Sequence, residues 1–323
     1  MNVRSNLPVG RGIFYILTAA VAWGTGGAAA SLLYADNGMG PLAVSFWRFV
    51  GGAVLLGVGH LVLRPRSAQR CRWRHVVITG VGLAVYQTAY FAAVGYAGLA
   101  VATVVTLGLG PIFIAVGSHF ALGEPLGRGG AAAVGLATLG LILLVAGGGA
   151  TAGSAPALGL ACALLSATGY AVVTLLTRRI GRDGASGGST LPASFIVGMV
   201  CLFALALAEG LLPTSGDGGT AFGLLAYLAA GPTALAYALF FAGLAVVRAT
   251  TASIVALIEP VTAAVIAVLW LDEQLTLAAA VGSTLLVGAV LALTWYERRT
   301  PQSAVMVEAE STVSGSGRSA VPL

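Results

Sequence analysis

Charge is what this sequence has least of. Asp, Glu, Lys and Arg make up 8% of its 323 residues, eleven acids and sixteen bases, where a soluble domain carries roughly 25%. So few ionic groups cannot wet the surface of a globule this long. That excludes a soluble enzyme, a nucleic-acid-binding protein and a disordered chain. Lysine is missing altogether, so no GxxxxGK[ST] phosphate loop exists and no ATP site of that kind is expected. Cysteine is scarce: Cys71, Cys162 and Cys201 lie far apart with no CxxC spacing, and neither a disulfide framework nor a metal site is implied. His60, His75 and His119 also lack ligand spacing and read as interfacial packing. No cofactor is expected.

What the chain has is apolar length. Hydrophobic residues reach 58% and mean hydropathy is +0.95. A hydrocarbon layer about 30 Å thick needs about 20 apolar residues of helix. Such runs recur at 13–33, 41–63, 74–93, 97–120, 129–147, 156–177, 191–212, 220–241, 250–271 and 275–296. The reading is an all-α polytopic membrane protein of ten spans. The third and fourth are divided only by Gly95 and Gly98. Arg4 and Arg11 precede the first run as in a signal peptide, but it is too long for one and nine more come after it, so it reads as a retained helix.

The arginines orient the spans. With the N-terminus in the cytoplasm, every arginine but Arg48 falls in the N-tail, the inside loops or the C-tail, including Arg64–Arg74, Arg128, Arg178, Arg179, Arg182 and Arg248. Outside loops and span ends carry acids instead: Asp36, Glu209, Asp217, Asp272 and Glu273. This is the positive-inside pattern, and it predicts both termini in the cytoplasm and a multi-pass protein of the cell (inner or plasma) membrane. The Ser- and Gly-rich tail is expected to be disordered.

The chain also repeats itself. At an offset of 149 residues, Gly82 matches Gly231, Phe91 matches Phe240, Pro111 matches Pro260, and the L-x-E-x-L turn around Glu124 matches that around Glu273. The divisions are a tail at 1–12, a five-helix repeat at 13–147, a Gly-rich connector at 148–155, a second repeat at 156–296 and a tail at 297–323. Five is odd, so the second repeat enters the membrane from the opposite side. Inverted repeats are the architecture of many alternating-access transporters.

At these residues the chain resembles the EamA-type branch of the drug/metabolite transporter superfamily. The resemblance is carried by Trp23-Gly24-Thr25, Pro41 before Phe46-Trp47-Arg48-Phe49, and the LGEPL turn from Leu122 to Leu126. In the second half it is carried by Arg178-Arg179, the TALAY run from Thr233 to Tyr237, Glu259-Pro260 and the LDEQL turn from Leu271 to Leu275. It runs from about residue 13 to 296. It implies export of small molecules such as amino acids, related metabolites or drugs through a central cavity lined by both repeats, and names no one substrate.

Glu259 is the only acid well inside a span. It lies nine residues past Thr250, about 13 Å along a helix, near the midplane. A carboxylate there normally faces a cavity or partner. It is read either as a proton-coupling or substrate-amine-binding group, or as a protonated acid bonded to helix backbone where Pro260 frees the Ala256 carbonyl. Pro111 and Pro260 are the expected helix breaks. Arg48, the only arginine within a span, reads as a structural charge, with an anion site or snorkelling to the interface as alternatives. Tyr86, Gln87 and Tyr90 share a face of the third span; Ser166 and Tyr170 lie on the sixth, Thr233 and Tyr237 on the eighth, and Trp23 on the first. Such groups need partners or water in hydrocarbon, so they line a substrate cavity or bond helix to helix.

The function expected is a secondary exporter of small metabolites, coupled to protons through Glu259. Its partners are a small-molecule substrate, protons and the bilayer, with no nucleic acid and no ATP; the oligomeric state is open. An uncoupled facilitator or exchanger of the same fold is the alternative, and a membrane sensor or assembly protein a further one. An intramembrane enzyme would need paired acids or a nucleophile with its base, and the adjacent Ser118-His119 has no elbow or partner.

Overall fold

Ten helices in the computed structural model are long and apolar enough to cross a bilayer, each satisfying its own backbone as hydrocarbon requires. Residues 7–63, 72–124, 126–146, 155–182, 190–270 and 276–299 are described. The helices are α1 (Val9–Asn37), α2 (Pro41–Leu63), α3 (Trp73–Ala97), α4 (Leu99–Leu122) and α5 (Arg128–Ala146). They continue as α6 (Pro156–Arg182), α7 (Leu191–Glu209), α8 (Gly218–Leu244), α9 (Ala249–Leu269) and α10 (Leu277–Arg299). Most of the connector at 148–155, the second L-x-E-x-L turn, Arg64, Arg66, Arg70 and the tail from residue 300 lie outside the described residues. Large apolar side chains point away from the bundle, Phe120 being 82% exposed, Leu277 81% and Phe222 75%. Such a surface suits lipid and not water.

Punctuation differs from expectation at several points. α3 and α4 meet at Gly98, whose φ of 86° favours glycine, whereas Gly95 lies inside α3. The break expected at Pro111 is absent, because α4 is continuous from Leu99 to Leu122. Thr138 of α5 donates to the Gly108 carbonyl at 3.4 Å, beside the turn that Pro111 disturbs; a membrane helix tolerates proline where neighbours satisfy that turn. α9 does break, at Leu257, between Ala249–Ala256 and Ile258–Trp270. Pro260 lacks the N–H for the Ala256 carbonyl and its ring crowds that oxygen. An unexpected irregularity lies in α8, where Ala229–Leu235, containing Pro232, is a π-helical turn.

The helices assemble as two three-helix bodies held by shared pairs. α3, α4 and α6 pack on one another; α1 packs on α8 and α9; α2 runs against α7 and α5 against α10. Replacing each helix by its counterpart five places on reproduces the principal pairings: α3 with α6 becomes α8 with α1, and α4 with α6 becomes α9 with α1. Small residues permit the closest crossings. A Cβ on Gly140 of α5 would lie 2.8 Å from the Gly282 carbonyl oxygen of α10, and one on Gly24 of α1 would lie 2.7 Å from that of Glu259. Gly26 abuts Pro232 in the same way, whereas Gly135 faces open space.

Among the described residues the two bodies pack on each other chiefly at one end. Their extended mutual packing involves Ala236–Leu244 of α8 or Ala249–Ala256 of α9, set against α4 and α6. The remainder of α9, Ile258–Trp270, packs on α1 and α10 with no comparable contact to α3, α4 or α6 among the described residues. The joined end holds the start of α1 and the ends of α4, α6 and α8, and with them Arg11, Arg178, Arg179, Arg182 and Arg248. At the opposite end Glu209 accepts from the Ala43 N–H at 2.8 Å, the Trp47 indole donates to the Leu211 carbonyl at 2.8 Å, and Asp217 caps α8.

Candidate functional site

The polar residues expected along the spans fall on the two facing bodies. Tyr86, Gln87 and Tyr90 come from α3, with Ser166 and Tyr170 from α6. Trp23 comes from α1, Thr233 and Tyr237 from α8, and Glu259 from α9, with Arg48 on α2 alongside. Tyr86 and Tyr170 pack with ring centroids 5.6 Å apart. Across from them Trp23 packs edge-on to Tyr237 at 5.3 Å and against Phe240 at 5.0 Å. Glu259 lies within electrostatic range of Tyr86, Tyr90, Tyr170, Tyr237 and Arg48. These side chains sit deep in the protein, yet Trp23, Arg48, Tyr86, Gln87, Tyr90, Tyr170, Tyr237 and Glu259 all keep part of their surface accessible. Accessible polar surface deep between helices is what the lining of an internal cleft shows.

Within this group the residues divide by what they already bond. Ser166 donates to the Tyr86 carbonyl at 2.8 Å, and Gln87 donates to Ser45 Oγ at 3.1 Å; both tie helix to helix. Tyr90 and Thr103 share a hydrogen bond of 3.1 Å. Arg48 Nε donates to Thr233 Oγ1 at 3.1 Å, so it faces α8 and does not run out to the interface. Glu259 makes no side-chain hydrogen bond among the described residues, including to the Ala256 carbonyl, and no ion pair joins it to Arg48. The Trp23 indole N–H is buried with no partner among the described residues. An acid, a guanidinium and an indole donor thus converge without neutralising one another.

Two contributors were missed from sequence. The π turn holds Thr233, and one extra residue in a turn rotates the rest of α8 by roughly 100°; Pro232 was its only signal. Phe195 of α7, fully buried, bridges Phe49 at 4.9 Å and Tyr237 at 5.2 Å and supports the aromatic wall from behind. Ser118, next to His119, bonds the Ala115 carbonyl at 3.0 Å and meets Thr250 Oγ1 at 3.3 Å, an interhelical tie with no base beside it. Trp73 and Trp295 are 69% and 60% exposed at helix ends, where interfacial aromatics belong.

The fold defines a multi-pass helical membrane protein whose polar and aromatic side chains gather on two three-helix bodies. The chain belongs to the EamA-like transporter family, whose model matches it twice, over residues 10–146 and 157–295. It is 29% identical over 291 residues to the uncharacterized transporter YwfM of Bacillus subtilis (strain 168), spanning 88% of this chain and 94% of that one. A solved structure, described only as the crystal structure of a protein, matches with a TM-score of 0.75 at 24% identity. The match covers 89% of this chain and 98% of that one, and at that identity it speaks for the fold alone.

Proposed function

We propose that this chain is a secondary transporter that exports small metabolites, amino acids or related compounds, by alternating access. The observation that carries this reading is the cleft between the two bodies, where Arg48 and Glu259 share one site without pairing. An unpaired acid and base beside Trp23, Tyr86, Tyr170 and Tyr237 suit a small molecule bearing both charges and an apolar body. Ligand groups there replace the missing counter-charges, which is costly to omit at such depth. Two halves related by inversion, 13–147 and 156–296, each contribute helices to both walls; the self-reproducing helix pairing and the doubled family match support this. The arginine-bearing end is assigned to the cytoplasm on the positive-inside pattern, and the membrane is the cell's inner or plasma membrane.

Glu259 is the proton-coupling group in this reading. It sits one residue before the proline that breaks α9, so a change in its charge acts on a helix already interrupted. In proteoliposomes, Glu259→Gln is expected to abolish pH-gradient-driven flux while sparing substrate exchange. Gradient dependence equal to that of the wild type removes Glu259 as the coupling group.

A further inference from the structure

Arg178 was read as one more cytoplasmic arginine, yet its side chain is 5% exposed and pairs with Glu124, whose side chain is 10% exposed. Arg178 Nε donates to Glu124 Oε1 at 2.8 Å, and Arg178 Nη1 donates to the carbonyls of Leu244 at 3.0 Å and Ala245 at 2.9 Å. The other Glu124 oxygen accepts from the Ala249 N–H at 3.1 Å. The guanidinium therefore serves the last carbonyls of α8 and the carboxylate serves the first N–H of α9, each the charge that the helix end favours. Arg178 and Glu124 belong to the body of α3, α4 and α6, whereas Leu244, Ala245 and Ala249 belong to the body of α1, α8 and α9. The Arg178–Glu124 bond sets the pair in place, and the other three bonds fasten one body to the other at the end where the described residues pack the bodies together.

The position that matches Arg178 at the opposite end holds no guanidinium. Gly12 of α1 packs against Val246 just past α8 as Gly159 of α6 packs against Ala97 at the end of α3. Laying α1 on α6 with Gly12 on Gly159 puts Trp23 on Tyr170, both in the cleft, and Ser31 on Arg178. Ser31 bonds only its own helix, donating to the Ala28 carbonyl at 2.8 Å. The arginine of the fastening is thus present at one end of a molecule whose helix pairings are otherwise related end to end.

We propose that Arg178 and Glu124 form a latch that keeps the arginine-bearing end shut and sets the resting protein open at the other. The proposal rests on the alternating-access reading above. A buried ion pair adds little net stability but is costly to leave half-made. When the end opens, water reaches both charges together and repays the lost contacts, so such a pair suits a closure that must reverse.

The test uses the full chain in lipid nanodiscs, with Cys71, Cys162 and Cys201 replaced by serine and spin labels on lipid-facing positions. Phe14 with Phe120 reports the arginine-bearing end, and Leu99 with Leu269 the other; these are 62%, 82%, 60% and 67% exposed. Glu124→Gln is expected to raise the population with a long Phe14–Phe120 distance at least about tenfold, the factor for one lost charge-assisted hydrogen bond. The Leu99–Leu269 distance shortens in step. Should that variant not fold, Arg178→Lys keeps the charge, loses the reach to the α8 carbonyls and is expected to shift the same way. Two arrangements with equal populations in wild type and variants overturn the latch alone. A single arrangement in every protein overturns alternation as well.

Discussion

Arg48 and Glu259 are the two ionic side chains that lie within the described spans away from their ends, half-buried, and the structure treats them differently. Arg48 is held by Thr233 at 3.1 Å, while Glu259 has no hydrogen-bond partner among the described residues. Thr233→Val keeps the volume and removes the acceptor, leaving a guanidinium donor unmet. It is expected to lower stability by about 1–3 kcal/mol and to weaken substrate binding, read from thermal unfolding in micelles and from the flux KM. An unchanged melting temperature and KM would show that Arg48 does not depend on Thr233. Residues such as Glu259, Tyr86, Tyr170 and Trp23 were legible because a polar group deep in an apolar run has to face something. The roles of Ser166 and Arg178 were not, because each depends on a partner from another helix: the Tyr86 carbonyl for one, Glu124 for the other.

Prolines illustrate what a single helix reveals. Pro111 and Pro260 are equivalent in the repeat, yet α4 is continuous and α9 is broken. Beside Pro111 the Thr138 hydroxyl of α5 reaches the Gly108 carbonyl, whereas α9 is interrupted at Leu257, three residues before Pro260. Helix ends read more directly. Asp217 accepts from the Thr220 N–H at 2.9 Å, the Thr220 hydroxyl at 2.9 Å and the Gly219 N–H at 3.3 Å. The Thr220 N–H, then its hydroxyl, then the Gly219 N–H hold its carboxyl below the ordinary value of 3.8. Because the folded value is the lower one, the cap stabilises above the ordinary carboxylate range and its contribution is lost as pH falls through the folded value. Asp217→Ala is therefore expected to melt below the wild type near neutral pH, with the gap closing only below about pH 4. A gap that stays constant through that range contradicts the cap.

At the scale of the whole molecule, the ten spans were legible from apolar length, and the family from the order of loose motifs. The division into two bodies was not, because it depends on which helices pack across the halves, and sequence spacing carries no such information. The same division explains why the site residues come from five helices of two bodies, with Arg48 added from α2. The most direct test is counterflow in proteoliposomes preloaded with members of a broad panel of amino acids and related metabolites. The account predicts saturable uptake of at least one of them above empty vesicles, reduced in Arg48→Ala by tenfold or more, about the factor for one lost charged contact. Functional incorporation with no movement of any compound would contradict it.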